Sequence, residues 1–316
     1  MNKTLTTALA ISALAVNVAG ATNTVGGTDN TISATSTSSA VWGFQNNIDA
    51  NNALAFGTNN TVTGENGFAG GNNATAAGRN SFAFGSHAES LVEYTVAIGN
   101  QARVSSYDSV AIGNGAFVSG ESSVALGRTN NVTGENSVAI GANNGTVAGG
   151  QSAVVGYNNK IGADKEQLVF GSNSESSGQG ALVFGTHAKA VAMDAVAFGN
   201  NTIADKPNAV VIGTNSVTDD AVGVDGITIN GTRHVFAGEQ PASVVSFGSK
   251  ARAGAGGVTQ YNRQLTNVSA GQISADSLDA INGSQLYAAI DEIETNAKQI
   301  SKNKQNIKDV AVGLNM

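Results

Sequence analysis

TVAIG at 95–99, SVAIG at 109–113, SVALG at 123–127 and SVAIG at 137–141 are one phrase written four times, its glycine returning at every fourteenth position. The phrase continues in both directions. Upstream it reads AVWG at 40–43, ALAFG at 53–57, a degenerate GFAGG at 67–71 and SFAFG at 81–85. Downstream it becomes SAVVG at 152–156, QLVFG at 167–171, ALVFG at 181–185, AVAFG at 195–199 and AVVIG at 209–213. Of the twelve steps between closing glycines, ten equal this period and two exceed it by one, so the period belongs to the architecture.

Inside each phrase the apolar residues alternate, as Val110 and Ile112 do against Ser109 and Ala111, which is strand periodicity. Half a repeat later a second short strand follows, visible in Ala116-Phe117-Val118 and Asn131-Val132-Thr133. Gly and Asn between the strands permit the positive φ angles of sharp corners. Two strands in each period describe a flattened coil, and coils stacked with parallel strands make an all-β solenoid or β-roll. Thirteen coils at ~4.8 Å predict a rod of roughly 60 Å. The alternation is read with Val and the Ile, Leu or Phe before Gly pointing into the coil. Ala and Ser then point outward, giving a small-residue surface on which another subunit can approach closely.

The array over 40–213 resembles the head repeats of YadA-type trimeric autotransporter adhesins. The resemblance implies a left-handed parallel β-roll, with three rolls packed into one homotrimeric head. Residues 214–260 break the period and read as a connector, in which Pro241 followed by SVVSFGS is similar to segments that precede a neck in that family. The segment 261–287, YNRQLTNVSAGQISADSLDAINGSQLY, resembles the family's neck. Arg263, Leu265, Asn267, Val268 and Gly271 match its first half, and Asp279, Ala280, Ile281, Asn282, Gln285 and Leu286 its second. Ser274 or Asp276 is placed to cap a following helix.

From 288 to 316 the pattern turns helical. Ile293, Ile300, Ile307 and Leu314 recur every seven positions, with Asn296, Asn303 and Val310 three positions after the first three. This is a coiled-coil seam with β-branched residues at a and Asn at two d positions. The resemblance implies a short parallel trimeric stalk whose Asn296 and Asn303 layers hold a central anion such as chloride. Water, with Asn only fixing register, is the other reading.

Composition agrees with a thin fibre. The chain has 316 residues with 40 Gly, 2 Pro and no Cys, and charged residues make up 12%, about half the usual share. Few side chains are large enough to fill a thick core. The lack of Cys removes disulfides, thiolate metal sites and Cys nucleophiles, and the net charge of −7 offers nothing to nucleic-acid phosphate. Residues 1–21 read as a secretory leader: Lys3, an apolar stretch from Leu5 to Val18, and Ala19-Gly20-Ala21 before a cleavage at Thr22. Residues 22–39 read as an N-terminal segment outside the roll. No run of alternating amphipathic strands follows the stalk, so a membrane anchor is expected from elsewhere or from a longer chain.

Catalytic chemistry is not legible. His87 and His187 fall at the same phase of the repeat, seven coils and about 34 Å apart, so they read as surface turn residues and not as a shared metal site. His234 lies in the connector. The acidic residues near Asp219, Asp220 and Asp225 fit no calcium loop. Trp42 is expected to cover the exposed end of the first coil. The sequence thus predicts a non-enzymatic cell-surface adhesin without metal or cofactor. Its partners would be host matrix proteins, cell-surface receptors or other bacteria, held by multivalent contacts along the roll. A phage-fibre-like or ice-binding structural solenoid is the alternative.

Overall fold

The computed structural model describes residues 23–254 and 257–314. Two units are distinguished, one comprising 1–220 with 243–261 and the other 221–242 with 262–316. The leader expected over 1–21 lies outside the described residues.

The first unit is a β-solenoid. Its long sheet contains 15 parallel strands, beginning with β1 (Thr24–Thr28) and ending at Val245–Ser246. Successive phrases pair in register: Val96, Ala97 and Ile98 lie beside Val110, Ala111 and Ile112, which lie beside Val124, Ala125 and Leu126. The two-residue strands of each coil form the opposite face, as a nine-stranded sheet starting at β2 (Thr31–Ile32) and a four-stranded one starting at Lys160–Ile161.

The corners explain the Asn content. Asn59, Asn73, His87, Gln101, Thr129, Asn143, Asn158, Asn173, His187 and Asn201 occupy equivalent corners, each left-handed near φ 55°. Asn tolerates that region better than most residues. The closing glycines go further: Gly113 has φ 135°, and a Cβ there would collide with the carbonyl of Gly127 one coil on. Parallel backbones this close leave no room for a side chain at that point.

The outline of the roll extends beyond the segment 40–213. β1 pairs in register with β3 (Ala40–Phe44), Thr24 lying beside Ala40, so the stretch expected to precede the roll forms a coil of its own. At the other end Val245 pairs with Val210 after an excursion of the chain. Trp42 is not an end cap: it stands in the second coil, with its indole against Gly26 of the first.

The direction of the side chains is the reverse of the expectation. Ala97, Ala111, Ala125 and Ala139 are fully buried, whereas Val110 is half-buried and Ile112 is exposed. So short a coil brings its two sheets so near that only small or slender side chains fit between them. The interior is therefore filled by columns of Ala, Val, Ser and Asn. Larger side chains face outward because the coil cannot enclose them at native packing density.

Buried Asn residues tie coils together. Asn60 Nδ2 donates to Asn46 Oδ1 at 2.8 Å and to the carbonyls of Phe56 and Gly71 at 3.0 Å, while its Oδ1 accepts from the Ala74 N–H at 2.8 Å. Asn144 and Asn159 repeat the arrangement further along. One side chain thus satisfies groups that would otherwise be buried unpaired.

The second unit holds an antiparallel hairpin (Gly226–Ile229 with Thr232–Val235), an irregular stretch and helix α1 (Gly283–Gly313). Ser274 and Asp276 bond each other, and neither caps α1. Asn282 is the N-cap, its Oδ1 accepting from the Ser284 and Gln285 N–H groups, while Gln285 Oε1 accepts from the Asn282 N–H at 3.1 Å. This is a capping box. Among the described residues no helix is long and apolar enough to cross a membrane.

Candidate interaction surface

The long sheet turns two columns of side chains outward from each coil. The column before the buried centre runs Ala40, Leu54, Phe68, Phe82, Val96, Val110, Val124, Val138, Ala153, Leu168, Leu182, Val196, Val210. The column after it runs Trp42, Phe56, Gly70, Phe84, Ile98, Ile112, Leu126, Ile140, Val155, Phe170, Phe184, Phe198, Ile212. Apart from the indole N–H of Trp42, neither column contains a polar side-chain group from Ala40 to Ile212; Thr24 of β1, beside Ala40, adds a hydroxyl at the end of the first column. Many members of the second are open: Phe56 is 58% exposed, Phe198 55% and Ile112 38%. Neighbouring rings stack along the sheet, Phe68 on Phe82 with centroids 4.6 Å apart and Phe170 on Phe184 at 5.3 Å.

The short-strand face carries a different chemistry. Asn47, Thr61, Thr75, Glu89, Arg103, Phe117, Asn131, Thr146, Lys160, Glu175 and Lys189 follow one another there. Arg103 pairs with Glu89 at 3.2 Å and sits over the Phe117 ring. Glu175 lies between Lys160 at 3.0 Å and Lys189 at 3.2 Å. Hydrogen bonds from Lys160, then Lys189, hold its carboxyl below the usual range. One face of the roll is suited to water. The other is a continuous apolar surface of the kind monomeric soluble proteins rarely leave open.

Five of the neck residues named from the sequence converge. Gln285 Nε2 donates to the Gly271 carbonyl at 2.7 Å, and its Oε1 accepts from the Gly271 N–H at 3.0 Å. Asn282 Nδ2 donates to the Val268 carbonyl at 3.0 Å, and Asp279 Oδ2 accepts from the Gln272 N–H at 3.0 Å. Val268, Gly271, Asp279, Asn282 and Gln285 therefore fold the irregular stretch back onto the first turn of α1. A Cβ on Gly271 would collide with the Ala280 carbonyl, which accounts for that glycine. Asn267 adopts the left-handed conformation at φ 63°. Arg263 belongs to the same irregular stretch, while Leu265, Ile281 and Leu286 present exposed apolar side chains.

Along α1, Ile293, Ile300 and Ile307 are exposed, as is Leu314 at its C-cap, forming an apolar stripe with Asn296 and Asn303 in the same seam. Gln299 Nε2 donates to Asn303 Oδ1 at 2.8 Å, which turns that carboxamide's oxygen along its own helix. His87 and His187 occupy corners, His234 pairs with Ile227 in the hairpin, and among the described residues no group of three or more His, Asp or Glu side chains is placed to hold a metal.

A parallel solenoid of short repeated coils with one apolar face, in a chain that also carries a helix with an open heptad seam, defines a repeat-built, all-β class of protein with a helical C-terminal segment. Comparison with known families agrees. The YadA head domain repeat matches 49–74, 63–88, 93–116, 119–144, 176–202 and 190–216. The coiled stalk of trimeric autotransporter adhesin matches 264–309. Together they cover more than half of the sequence, and the chain belongs to the YadA-type adhesins. The autotransporter adhesin BtaE of Brucella suis biovar 1 (strain 1330) is 42% identical over 84 residues, 27% of this chain and 10% of BtaE. The chain thus matches about a tenth of that relative's length. A solved C-terminal YadA-like domain from Burkholderia pseudomallei is 33% identical, covering 43% of this chain and 53% of the other, with a TM-score of 0.30.

Proposed function

We propose that the chain is the head, neck and first stalk segment of a homotrimeric, non-enzymatic adhesin displayed on the bacterial cell surface. The observation that carries this reading is the uninterrupted apolar face of the long sheet. Two further copies of the same face would cover it, and α1 would at the same time bury its Ile stripe against two partner helices. Association of the rolls leaves the polar short-strand faces outward. Those faces repeat every coil and suit multivalent contact with host matrix proteins, cell-surface receptors or other bacteria. Charged residues interrupt that outer face and its Thr residues are irregularly placed, which disfavours an ice-binding structure.

Within the stalk, we propose that Asn296 and Asn303 form two layers whose amide N–H groups surround a chloride or similar anion. Primary carboxamides are suited to this because each brings two donors.

Light scattering and sedimentation of the chain from Thr22 test the assembly: a mass three times that of the chain is expected. A compact monomer at micromolar concentration overturns the reading. Binding of the purified assembly to immobilised matrix proteins and intact cells tests adhesion, with no binding to any of them as the adverse result.

A further inference from the structure

A parallel solenoid ends in strands with one unpaired side, and its two ends are treated differently here. At the C-terminal end of the roll the last strand is only Val245–Ser246, and Lys250 pairs with Asp219 nearby. Short strands and charges are the usual devices against further pairing. The N-terminal edge of the long sheet is less guarded. β1 is a five-residue strand, Thr-Val-Gly-Gly-Thr, and Asp29 is the single charged residue between Thr22 and Ile48.

Hydrogen-bond direction fixes what that edge offers. The Thr24 N–H donates to the Ser39 carbonyl of the next coil, and the Thr28 carbonyl accepts from Gln45. Alternation along the strand then turns the N–H and C=O groups of Val25 and Gly27 away from β3. Asn23 takes no part at the edge: its Nδ2 donates to the Ser36 carbonyl and its Oδ1 accepts from the Ser39 N–H. Val25 and Ile32, packed on the core from the first coil, are only partly covered. In a chain beginning at Thr22, as the expected leader cleavage gives, only Thr22 and Asn23 precede β1.

We propose that this edge is a self-complementary docking surface, on which β1 of a second copy adds antiparallel so that two heads join tip to tip. The proposal deepens the adhesin reading by naming a second copy of this chain as one partner of the head. A twofold axis normal to the sheet through Gly26 places Val25 opposite Gly27 of the copy and Gly27 opposite Val25. Each such pair exchanges both backbone hydrogen bonds, and the groups left free by the roll are satisfied. The absent side chains of Gly26 and Gly27 ease close approach on the axis. The same rotation keeps both apolar outer columns on one side and continues the core across the junction. On facing cells, tip-to-tip pairing gives a homophilic attachment that many weak junctions would strengthen.

The register makes the test sharp. The mature chain from Thr22, whatever its basal assembly, should double its mass with rising concentration in sedimentation equilibrium. This separates the proposal from the assembly of rolls side by side, which sets the basal mass. Thr28→Lys should abolish the doubling while leaving the basal mass and circular dichroism unchanged; Thr24, in register with Ala40 on the apolar face, keeps its own side chain in this variant. Val25→Pro should act the same way, since the removed N–H faces the edge. The chain contains no Cys, so Thr24→Cys with Thr28→Cys should cross-link copies upon oxidation, because Thr24 faces Thr28 of the copy at a distance a disulfide can span. Either single Cys variant should not. Absence of doubling, its survival in the Thr28→Lys variant, or equal cross-linking by the single Cys variants would each overturn the proposal.

Discussion

Ala111 and Ile112 are adjacent in sequence and lie on opposite sides of one sheet, so introducing the same charge at each should give two different failures. Ala111 is 0% exposed and packs in register between Ala97 and Ala125. A Glu there must either enter a core too thin for it or pull the strand from the ladder. An uncompensated buried carboxylate costs several kcal/mol even after relaxation, so Ala111→Glu should lower the melting temperature sharply and open the neighbouring coils to protease. Ile112 is 38% exposed. Burying the remainder in an assembly is worth about 0.6–1.1 kcal/mol per copy, taking full burial of an Ile as about 1.5–3 kcal/mol. Ile112→Glu forfeits that and places a carboxylate in an apolar interface, yet leaves the coil interior untouched. Its chains should keep their circular dichroism while losing assembly mass by light scattering. If Ala111→Glu remains folded and merely dissociates, or if both variants behave alike, the assignment of inner and outer faces is wrong.

Three further perturbations probe other parts of the chain. Asn60→Leu leaves the Gly71 carbonyl and the Ala74 N–H without their partner, so thermal unfolding should show a loss of about 1–3 kcal/mol per buried group. Asn282→Ala removes the N-cap and the bond to Val268, and should cost about 1 kcal/mol of helix stability, read as reduced helicity and faster hydrogen exchange in the first turn of α1. Glu175→Gln tests the linked ion pairs. Because the folded carboxyl titrates below its ordinary value of 4.5, its stabilisation is present above that pH and disappears as pH falls through the lower, folded value. The melting difference between the parent and Glu175→Gln should therefore be small at neutral pH, roughly 0.5–1 kcal/mol for a surface pair, and vanish in acid.

The period, the two strands per coil and the corners are written in the sequence because each coil must satisfy the same backbone geometry. Gly at 113 and Asn at 59 or 73 are demanded locally, so pattern alone finds them. The inner face is another matter. Alternation separates Ala111 from Ile112 without saying which is buried, and hydrophobicity favours the wrong one. Coil size carries the missing signal: Asn60, Ala74, Ala88 and Ala102 form another column of small residues, so the space beside Ala111 has to be narrow as well. β1 escapes notice because its step to β3, from Thr24 to Ala40, is longer than the period. Val245 escapes because a hairpin separates it from Val210. The capping box is readable as Asn282-Gly-Ser-Gln285, a spacing that local chemistry favours over the more distant Ser274.

Asn296 and Asn303 offer the most direct view of the proposed stalk. Each is one heptad from the other, in a seam otherwise lined by Ile293, Ile300 and Ile307. In a parallel three-stranded coil, every Asn layer brings carboxamides from all three helices toward the axis. Unpaired, their N–H groups would cost about 1–3 kcal/mol each in an apolar seam. An axial anion accepts from all three helices at once, whereas water must give up part of its own bonding to do so. The Gln299 bond that turns Asn303 Oδ1 along its own helix favours the anion, because it leaves the donor end of the amide free to face the axis. Replacing both residues with Ile should raise the melting temperature whether anion or water is the partner, so stability alone does not separate the two. Bromide does. A crystal of the assembled stalk soaked in bromide should show anomalous peaks on the axis at both layers, and the absence of a peak at either layer would leave the Asn residues with water and a role in register alone.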